Sequence, residues 1–274
     1  MRAQLNALRF ALRAALGFRR GRPPFAQEPK DALFDYLDAK GEHAAALKEA
    51  ELRARYRLEP LAACSTRFDY RDNLYVLEAL ETVVGTHAFT PRSPDGALRV
   101  VDVGSKNFNY AFALERFFRR YGTAGGGVSL LGVEVDGHVV YRDLYARCDY
   151  ADAYAKQTGN PRVGYRVADF CTTPFEEPSD ITTLLFPFVT RQALVRWGLP
   201  VRFFEPERLL QRALETTPQG HLLVFSQTES ERDTLVELLS RLGASTVRSV
   251  PLRSRLVQYH EAADERFATL FAIH

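Results

Sequence analysis

The chain has 274 residues, of which 46% are hydrophobic and 26% are charged, which is ordinary for a soluble globular protein with one large domain and an appendage, or with two small domains. A formal net charge of +2 does not indicate a nucleic-acid partner, because a dedicated binder usually carries a basic face or stripe. No apolar stretch approaches the roughly 20 residues that span a bilayer, so the sequence predicts no transmembrane segment.

The cysteine and histidine patterns indicate reduced thiols and no metal site. Three cysteines lie far apart without a CxxC pair, and six histidines form no HxH or HxxxH pair. These spacings argue against a disulfide framework and a structural zinc site. The N-terminus also lacks the apolar core of a secretory signal, because Arg9 and Arg13 interrupt its hydrophobic residues. We therefore expect a cytoplasmic protein.

The first residues of the chain predict a basic amphipathic helix. Six arginines precede Glu28, which is the first acidic residue. One face of the helix carries leucines spaced three or four residues apart, namely Leu5, Leu8, Leu12 and Leu16. Such a helix either makes a weak contact with an anionic membrane surface through residues 1–24, or packs its leucines on the body of the protein and leaves its arginines in solvent. The second arrangement is the expected one.

Further helices and then a boundary follow this segment. Residues 28–59 are rich in Ala, Glu, Lys and Leu and predict one or two helices, broken near Lys40–Gly41. Residues 68–85 keep an apolar stripe, and Gly85 is placed to end that helix. The stretch at 86–97 is polar and rich in turn residues. We therefore predict a helical N-terminal extension or lid over residues 1–94 and a second domain over residues 95–274.

From residue 98 onwards, β-branched runs alternate with amphipathic stretches. The predicted strands that alternate with helices are LRVVDVG, VSLLGVEVD, VGYRVADF, ITTLLFPFV and HLLVFSQ. Two more β-rich segments, STVRSVPLR and RFATLFAIH, then follow without a convincing helix between them. This pattern predicts an α/β fold: a Rossmann-like mixed sheet of about seven strands, mostly parallel with a C-terminal antiparallel hairpin, with helices on both faces and a helical N-terminal region before it. Ligands of such sheets bind at the carboxyl ends of the strands.

The order of elements, the late hairpin and the acidic residues at three successive strand ends resemble the class I S-adenosylmethionine-dependent methyltransferases over about residues 98–274. The resemblance implies S-adenosylmethionine as the cofactor. In VVDVG, Asp102 resembles the acid that supports the loop around the methionine moiety, and Gly104 resembles the glycine that lets the backbone approach the cofactor. In GVEVD, Glu134 resembles the acid that accepts hydrogen bonds from the two ribose hydroxyls, with Asp136 as the alternative.

The later strand ends resemble the rest of the family's site. In VADF, Asp169 resembles the acid that accepts a hydrogen bond from the adenine amine, and Phe170 resembles the residue close to the adenine ring. LFPFV ends the strand where family members line the methyl-transfer site, so the resemblance implies a substrate side formed by Phe186, Pro187 and Phe188. Arg191, which follows this strand, is a further candidate because of its charge. The segment TRQALVRWGLPVRFF, which contains Arg191, either selects an anionic or aromatic substrate or is a solvated helix with one buried tryptophan.

The loop after the first strand departs from the family pattern. The family favours glycines where this chain has Lys106 and Phe108, because the backbone there passes close under the cofactor. Ser105 and Lys106 still form a turn of small or polar residues before a helix, whose N-terminal amides can receive a carboxylate. Lys106 can also pair with the methionine carboxylate of the cofactor. We therefore expect this loop to bind the cofactor even though its sequence is unusual for the family.

These features predict an S-adenosylmethionine-dependent methyltransferase whose acceptor the sequence does not name, with a small molecule slightly favoured. Methyl transfer mainly requires that nucleophile and donor are aligned, so no catalytic base is assigned. Two other functions stay open. One is a non-catalytic methyltransferase-like scaffold that binds a ligand, and the other is a peripheral membrane or assembly factor that works through the basic N-terminal helix.

Overall fold

The computed structural model describes residues 2–122, 127–257 and 265–274. The helices before the sheet are α1 (Arg2–Leu16), α2 (Ala39–Tyr56), α3 (Glu59–Cys64) and α4 (Arg67–Val84). The strands are β1 (Leu98–Val103), β2 (Val128–Glu134), β3 (Val163–Val167), β4 (Ile181–Leu185), β5 (His221–Ser226), β6 (Ala244–Pro251) and β7 (Phe267–Ile273). The helices that follow the first strands are α5 (Ala111–Tyr121), α6 (Arg147–Gln157), α7 (Arg191–Trp197), α8 (Pro206–Thr216) and α9 (Glu229–Arg241).

All seven strands form one sheet in the order β3-β2-β1-β4-β5-β7-β6. The first five strands run parallel to one another, whereas β7 is antiparallel to both β5 and β6. Every predicted strand is present, and the predicted mixed Rossmann-like sheet with its antiparallel C-terminal pair is confirmed. Because β1 and β4 are neighbours and the chain order reverses there, their carboxyl ends open the crevice in which such sheets hold ligands.

Local sequence signals account for where the helices begin and end. The carboxylate of Asp38 accepts a hydrogen bond from the backbone N–H of Gly41 at 2.7 Å, so the break expected near Lys40–Gly41 is the capped start of α2. At the other end of the helical region, α4 ends at Gly85, as predicted, and this glycine has a φ of +60°. The proline that opens α8 stands in the first turn, where its missing N–H costs nothing.

Helix α4 packs inside the same hydrophobic cluster as the sheet. Leu74 and Leu77 on its buried face share this cluster with Phe117 of α5. Asn73, which is fully buried, donates a hydrogen bond to the carbonyl of Asn109 at 2.8 Å and accepts one from the N–H of Ala113 at 3.0 Å. The helical region therefore fixes the segment that leads from β1 into α5.

Helix α1 has the opposite orientation to the one expected. Its four leucines are 43–77% exposed, whereas Asn6 and Phe10 are buried against the body of the protein. The side-chain amide of Asn6 donates to the carbonyls of Val195 and Leu199, and Phe10 packs with Leu199 in a small cluster near α7. The expectation that the leucines pack inward is wrong, because the surface beneath α1 presents backbone carbonyls and the buried carboxylate of Asp136, which accept from Asn6 and Arg13.

Two histidines join the helical region to the amino end of the sheet. The Nε2 atoms of His87, which follows α4, and His221, which begins β5, are 3.1 Å apart, and both rings contact Phe89. Burial, together with the neighbouring His87 and Arg92, lowers the pKa of His221 to about 4. The folded protein therefore keeps this ring neutral in a pH range where the unfolded chain protonates it.

This difference predicts an acid-sensitive stability. The unfolded state binds the extra proton between about pH 6.5 and about pH 4, so the free energy of unfolding falls as the pH is lowered through that window. The whole shift corresponds to about 3 kcal/mol, and solvent screening at a half-buried ring reduces it to roughly 1–2 kcal/mol. Urea unfolding of wild type and His221→Phe at both ends of the window measures it. Across this window, the free energy of unfolding of His221→Phe should fall by roughly 1–2 kcal/mol less than that of wild type. The control variant His43→Phe changes an exposed histidine and should behave as wild type. An equal loss in wild type and His221→Phe contradicts the assignment.

Candidate functional site

The loop after β1 keeps a glycine-like backbone without the glycines. Gly104, Lys106 and Phe108 have φ angles of +75°, +52° and +58°, so every second residue of the loop is left-handed. A non-glycine residue in this region costs about 1 kcal/mol and persists only where the surrounding structure enforces it. Such strain clusters at ligand sites.

The Phe108 side chain lies under the loop and away from its open face. The ring is fully buried, and its edge lies 3.1 Å from the place where a Cβ on Gly132 of β2 would stand. The backbone around it is held by the hydroxyl of Tyr165, which donates to the carbonyl of Lys106 at 2.7 Å. A Cβ added to Gly104 meets no atom within 4 Å. The Phe108 ring and the Tyr165 hydroxyl therefore hold the loop from one side, and the side above Gly104 is open.

Asp102 is fully buried at the carboxyl end of β1. Its two oxygens accept hydrogen bonds from the hydroxyl of Thr183 at 2.5 Å and from that of Tyr110 at 2.9 Å. Burial raises the pKa of Asp102 to about 6, and these hydrogen bonds oppose the rise. Asp102 thereby ties the end of β1 to β4 and to the start of α5.

Glu134, at the end of β2, is buried beside the loop. Its carboxylate accepts hydrogen bonds from the backbone N–H of Lys106 at 3.0 Å and from that of Asp136 at 2.9 Å. Burial raises its pKa, whereas the nearby guanidinium of Arg147, 3.5 Å away, lowers it. A carboxylate has about four acceptor positions, so Glu134 retains acceptor capacity beyond these two hydrogen bonds.

Arg147 begins α6 and brings a buried guanidinium to Glu134. Its side chain is 7% exposed, its Nη1 atom lies 3.5 Å from a carboxylate oxygen of Glu134, and Tyr141 is a further side-chain hydrogen-bond partner. Its guanidinium also lies 5.8 Å from the ring centre of Trp197.

Asp136, the alternative to Glu134, is held by the N-terminal helix. Arg13 of α1 pairs with it in a bidentate contact, with Nε 3.1 Å from one oxygen and Nη2 2.7 Å from the other. The side chain of Asp136 is 5% exposed. Asp136 therefore serves as the anchor of α1 on the carboxyl edge of the sheet.

The third strand end carries the other two residues of the expected cofactor side. Asp169 accepts a hydrogen bond from the backbone N–H of Cys171 at 2.9 Å and is partly exposed. Phe170 is buried, with its ring 5.5 Å from that of Phe175 in the second hydrophobic cluster. The structure thus places Asp169 at the edge of the sheet and the Phe170 ring in the core.

The expected substrate side begins with another strained turn. Phe186 has a φ of +61°, and its ring lies 5.9 Å from the ring of Phe225 and 5.1 Å from the guanidinium of Arg266. Pro187 and Phe188 follow, both partly buried. The turn ends at Arg191, which is exposed on the first turn of α7.

Trp197 lies over the loop instead of in the core. It is 46% exposed, and the ammonium of Lys106 lies 5.6 Å from its ring centre, while Phe188 lies 6.1 Å away. The alternative of a buried tryptophan in this segment is therefore wrong. An aromatic ring beside two cations gives the carboxyl edge a cation–π cluster.

The sequence analysis missed several residues of this edge: Tyr110, Thr183, Arg147, Arg13 and Asp72. Thr183 had a signal, because a hydroxyl stands within an apolar strand directly opposite Asp102 in the register of β1 and β4. Asp72 of α4, which accepts a hydrogen bond from the side chain of Asn109 at 2.8 Å, had none. Burial raises its pKa, and Lys106 and Arg266 both oppose this.

Among the residues that the structure describes, no three metal-ligating side chains lie close enough to hold an ion. Within the same residues, no helix has the length and apolar character needed to cross a bilayer.

No protein-family model and no curated protein matches the sequence, but solved structures do. Magnesium protoporphyrin IX methyltransferase from Synechocystis, with bound S-adenosylmethionine, is 11% identical and has a TM-score of 0.44 over 91% of this chain and 99% of that chain. The N-methyltransferase NodS from Bradyrhizobium japonicum, in complex with S-adenosylhomocysteine, is 12% identical, with a TM-score of 0.44 over 82% and 98%. A TehB-like methyltransferase from Corynebacterium glutamicum is 14% identical, with a TM-score of 0.42 over 84% and 99%. At these identities the similarity is one of fold alone.

The left-handed loop yields a prediction about stability. Lys106→Gly removes the steric cost at φ +52°, so the free energy of unfolding in urea should stay unchanged or rise by up to about 1 kcal/mol, even though glycine makes the unfolded chain more flexible. Lys156→Gly is the matched control, because Lys156 is an exposed lysine in helix α6. There glycine should cost about 0.5–1 kcal/mol. If both variants lose the same stability, the loop is not strained at Lys106.

Proposed function

We propose that this protein is an S-adenosylmethionine-dependent methyltransferase. One observation carries the proposal: the loop after β1 holds a left-handed backbone at Gly104, Lys106 and Phe108, beside the buried carboxylate of Glu134. The surrounding structure holds this loop in its strained shape from below, and strained backbone of this kind clusters at ligand sites. The open space above Gly104 and the guanidinium of Arg147 beside Glu134 fit a polar ligand.

Six positions are assigned to the cofactor side. Glu134 would accept from the ribose hydroxyls through its remaining acceptor positions, with Asp169 on the adenine and Lys106 on the methionine carboxylate. Gly104 and Ser105 would supply backbone close to the ligand, and Asp102 would hold that backbone in place through Thr183 and Tyr110. When bound, S-adenosylmethionine supplies a methyl group already activated by its sulfonium.

The acceptor side is assigned to the turn after β4 and to α4. The proposed acceptor lies against the partly buried rings of Phe186 and Phe188, with Pro187 between them and Arg191 at the open end. Asp72 lies within electrostatic reach of Lys106 and Arg266, and burial raises its pKa. Its carboxylate is the group proposed to receive the acceptor's proton, because a base with a raised pKa takes a proton more readily.

A second candidate, a scaffold that binds a ligand without transferring a methyl group, is favoured by a specific observation. Both acids at the end of β2 already face arginines, since Arg147 lies 3.5 Å from Glu134 and Arg13 pairs with Asp136. A cofactor must share Glu134 with Arg147. Binding measurements therefore separate the two candidates.

The first binding prediction concerns Glu134. Glu134→Gln removes the charge that accepts the ribose hydroxyls, so S-adenosylmethionine should bind about 30- to 150-fold more weakly by calorimetric titration, equivalent to about 2–3 kcal/mol. Glu115→Gln is the matched control, because Glu115 is also a buried carboxylate paired with an arginine, in α5 and outside the site. Both variants should melt at a lower temperature, but only Glu134→Gln should lose affinity. Equal affinities remove Glu134 from the site, and a wild type that does not bind S-adenosylmethionine refutes the proposed function.

The second binding prediction uses Lys106 to decide between the two candidates. If the lysine pairs with the cofactor's carboxylate, Lys106→Ala should weaken S-adenosylmethionine and S-adenosylhomocysteine by about threefold to tenfold. Adenosine, which lacks the carboxylate, should bind almost unchanged. Lys156→Ala controls for the loss of one positive charge.

The scaffold candidate predicts the opposite sign. There the lysine obstructs the site, so Lys106→Gly should improve the affinity for all three ligands, or create it where wild type shows none. One pair of variants, measured with three ligands, therefore distinguishes a working cofactor loop from an obstructed one.

A further inference from the structure

Helix α1 presents a continuous apolar stripe to solvent. The exposed fractions of Leu5, Leu8, Leu12 and Leu16 are 43%, 58%, 55% and 77%. At 3.6 residues per turn, these four side chains lie within an arc of about 80°. Phe18, just beyond the helix, extends the apolar surface with 42% exposure. Large apolar side chains that are exposed together indicate an interaction surface, whereas single ones do not.

The stripe is fixed in its outward position. On the opposite side of α1, Asn6 donates to Val195 at 2.9 Å, Arg13 pairs with Asp136, and the ring of Phe10 meets that of Phe203 edge-on at 5.0 Å. Rotating the leucines inward would break all of these contacts and leave Asp136 buried without its counter-ion, which is costly. The exposed leucines are therefore part of the folded state.

The charges around the stripe are positive. Arg2 and Arg9 of α1 are exposed, and α1 contains no acidic residue, whereas Arg13 and Arg19 pair with carboxylates on the body of the protein. A short helix with leucines on one face and arginines beside them is the pattern of helices that lie in a bilayer interface, where apolar burial and attraction to anionic lipid act together. Leucine is under-represented among the residues that dominate protein–protein binding, so a surface of four leucines and one phenylalanine favours lipid.

We propose that the outward face of α1 docks on an anionic lipid bilayer, with the four leucines in the acyl boundary and Arg9 at the headgroups. Because Arg13 and Asn6 hold α1 on the carboxyl edge of the sheet, docking places that edge next to the membrane. This inference does not depend on the methyltransferase proposal, since its test measures lipid binding without any cofactor.

Co-sedimentation of the full chain with vesicles tests the proposal. Vesicles of phosphatidylcholine with phosphatidylglycerol should bind the protein, vesicles of phosphatidylcholine alone should bind it weakly, and high salt should reduce the binding. The double variant Leu8→Gln/Leu12→Gln should partition at least about tenfold more weakly, because both side chains leave the acyl boundary. Arg9→Ser should weaken binding to anionic vesicles by about fivefold.

Matched variants elsewhere on the surface are the controls. Leu47→Gln changes an exposed leucine of α2, and Arg241→Ser changes an exposed arginine at the end of α9. Neither should alter partitioning. All variants should melt like wild type by circular dichroism, because the changed side chains are exposed.

Two outcomes overturn the proposal. One is wild-type protein that stays in solution with anionic vesicles, or that binds them equally well without the two leucines. The other is a dimer in sedimentation velocity that Leu8→Gln/Leu12→Gln converts to a monomer, which assigns the stripe to contact between two copies of this chain.

Discussion

The carboxylate of Glu134 joins the ends of two neighbouring strands, and the geometry of the whole edge depends on it. A buried carboxylate costs several kcal/mol unless it is hydrogen-bonded and paired. Here it receives one N–H from the loop after β1, one from the turn after β2, and the nearby charge of Arg147. A residue of β2 therefore stabilises the left-handed turn at Lys106. The conformation of the turn depends on both strands and not on the turn sequence alone.

The sheet could be predicted from the sequence because its signals are local. A parallel strand that is covered on both faces reads as a nearly continuous apolar run, and β1, β2 and β4 each contain an apolar stretch of this kind with few polar residues. Asp102 and Glu134 stand at the ends of these runs, so their positions at the carboxyl edge followed directly. The backbone conformation of the loop after β1 could not be predicted from the sequence. Phe108 occupies a left-handed position because its ring fills the space that Gly132 leaves on the next strand, and that complementarity links residues on two different strands.

Helix α1 shows a second limit of sequence patterns. Periodicity identifies an apolar face, and the usual inference places that face in the core. The orientation was instead decided by the polar surface beneath the helix, where the carbonyl of Val195 lies 189 residues further along the chain. Asn6 and Arg13 match that surface, and leucines do not. The inference that an apolar face packs inward fails here because the body of the protein presents carbonyls and a buried carboxylate beneath α1. Leucines in that position would leave these groups without the hydrogen bonds that Asn6 and Arg13 donate.

The carboxyl edge gathers opposite charges in nearly equal number. Lys106, Arg147 and Arg13 face Glu134, Asp136 and Asp72 within a small region. Glu134 and Asp136 already face Arg147 and Arg13, whereas Lys106 is exposed. A ligand that offers hydroxyl donors to Glu134 and a carboxylate to Lys106 would satisfy both sides at once. The charge balance of the edge thus favours ligands that carry donors and an anionic group together, whichever reaction follows.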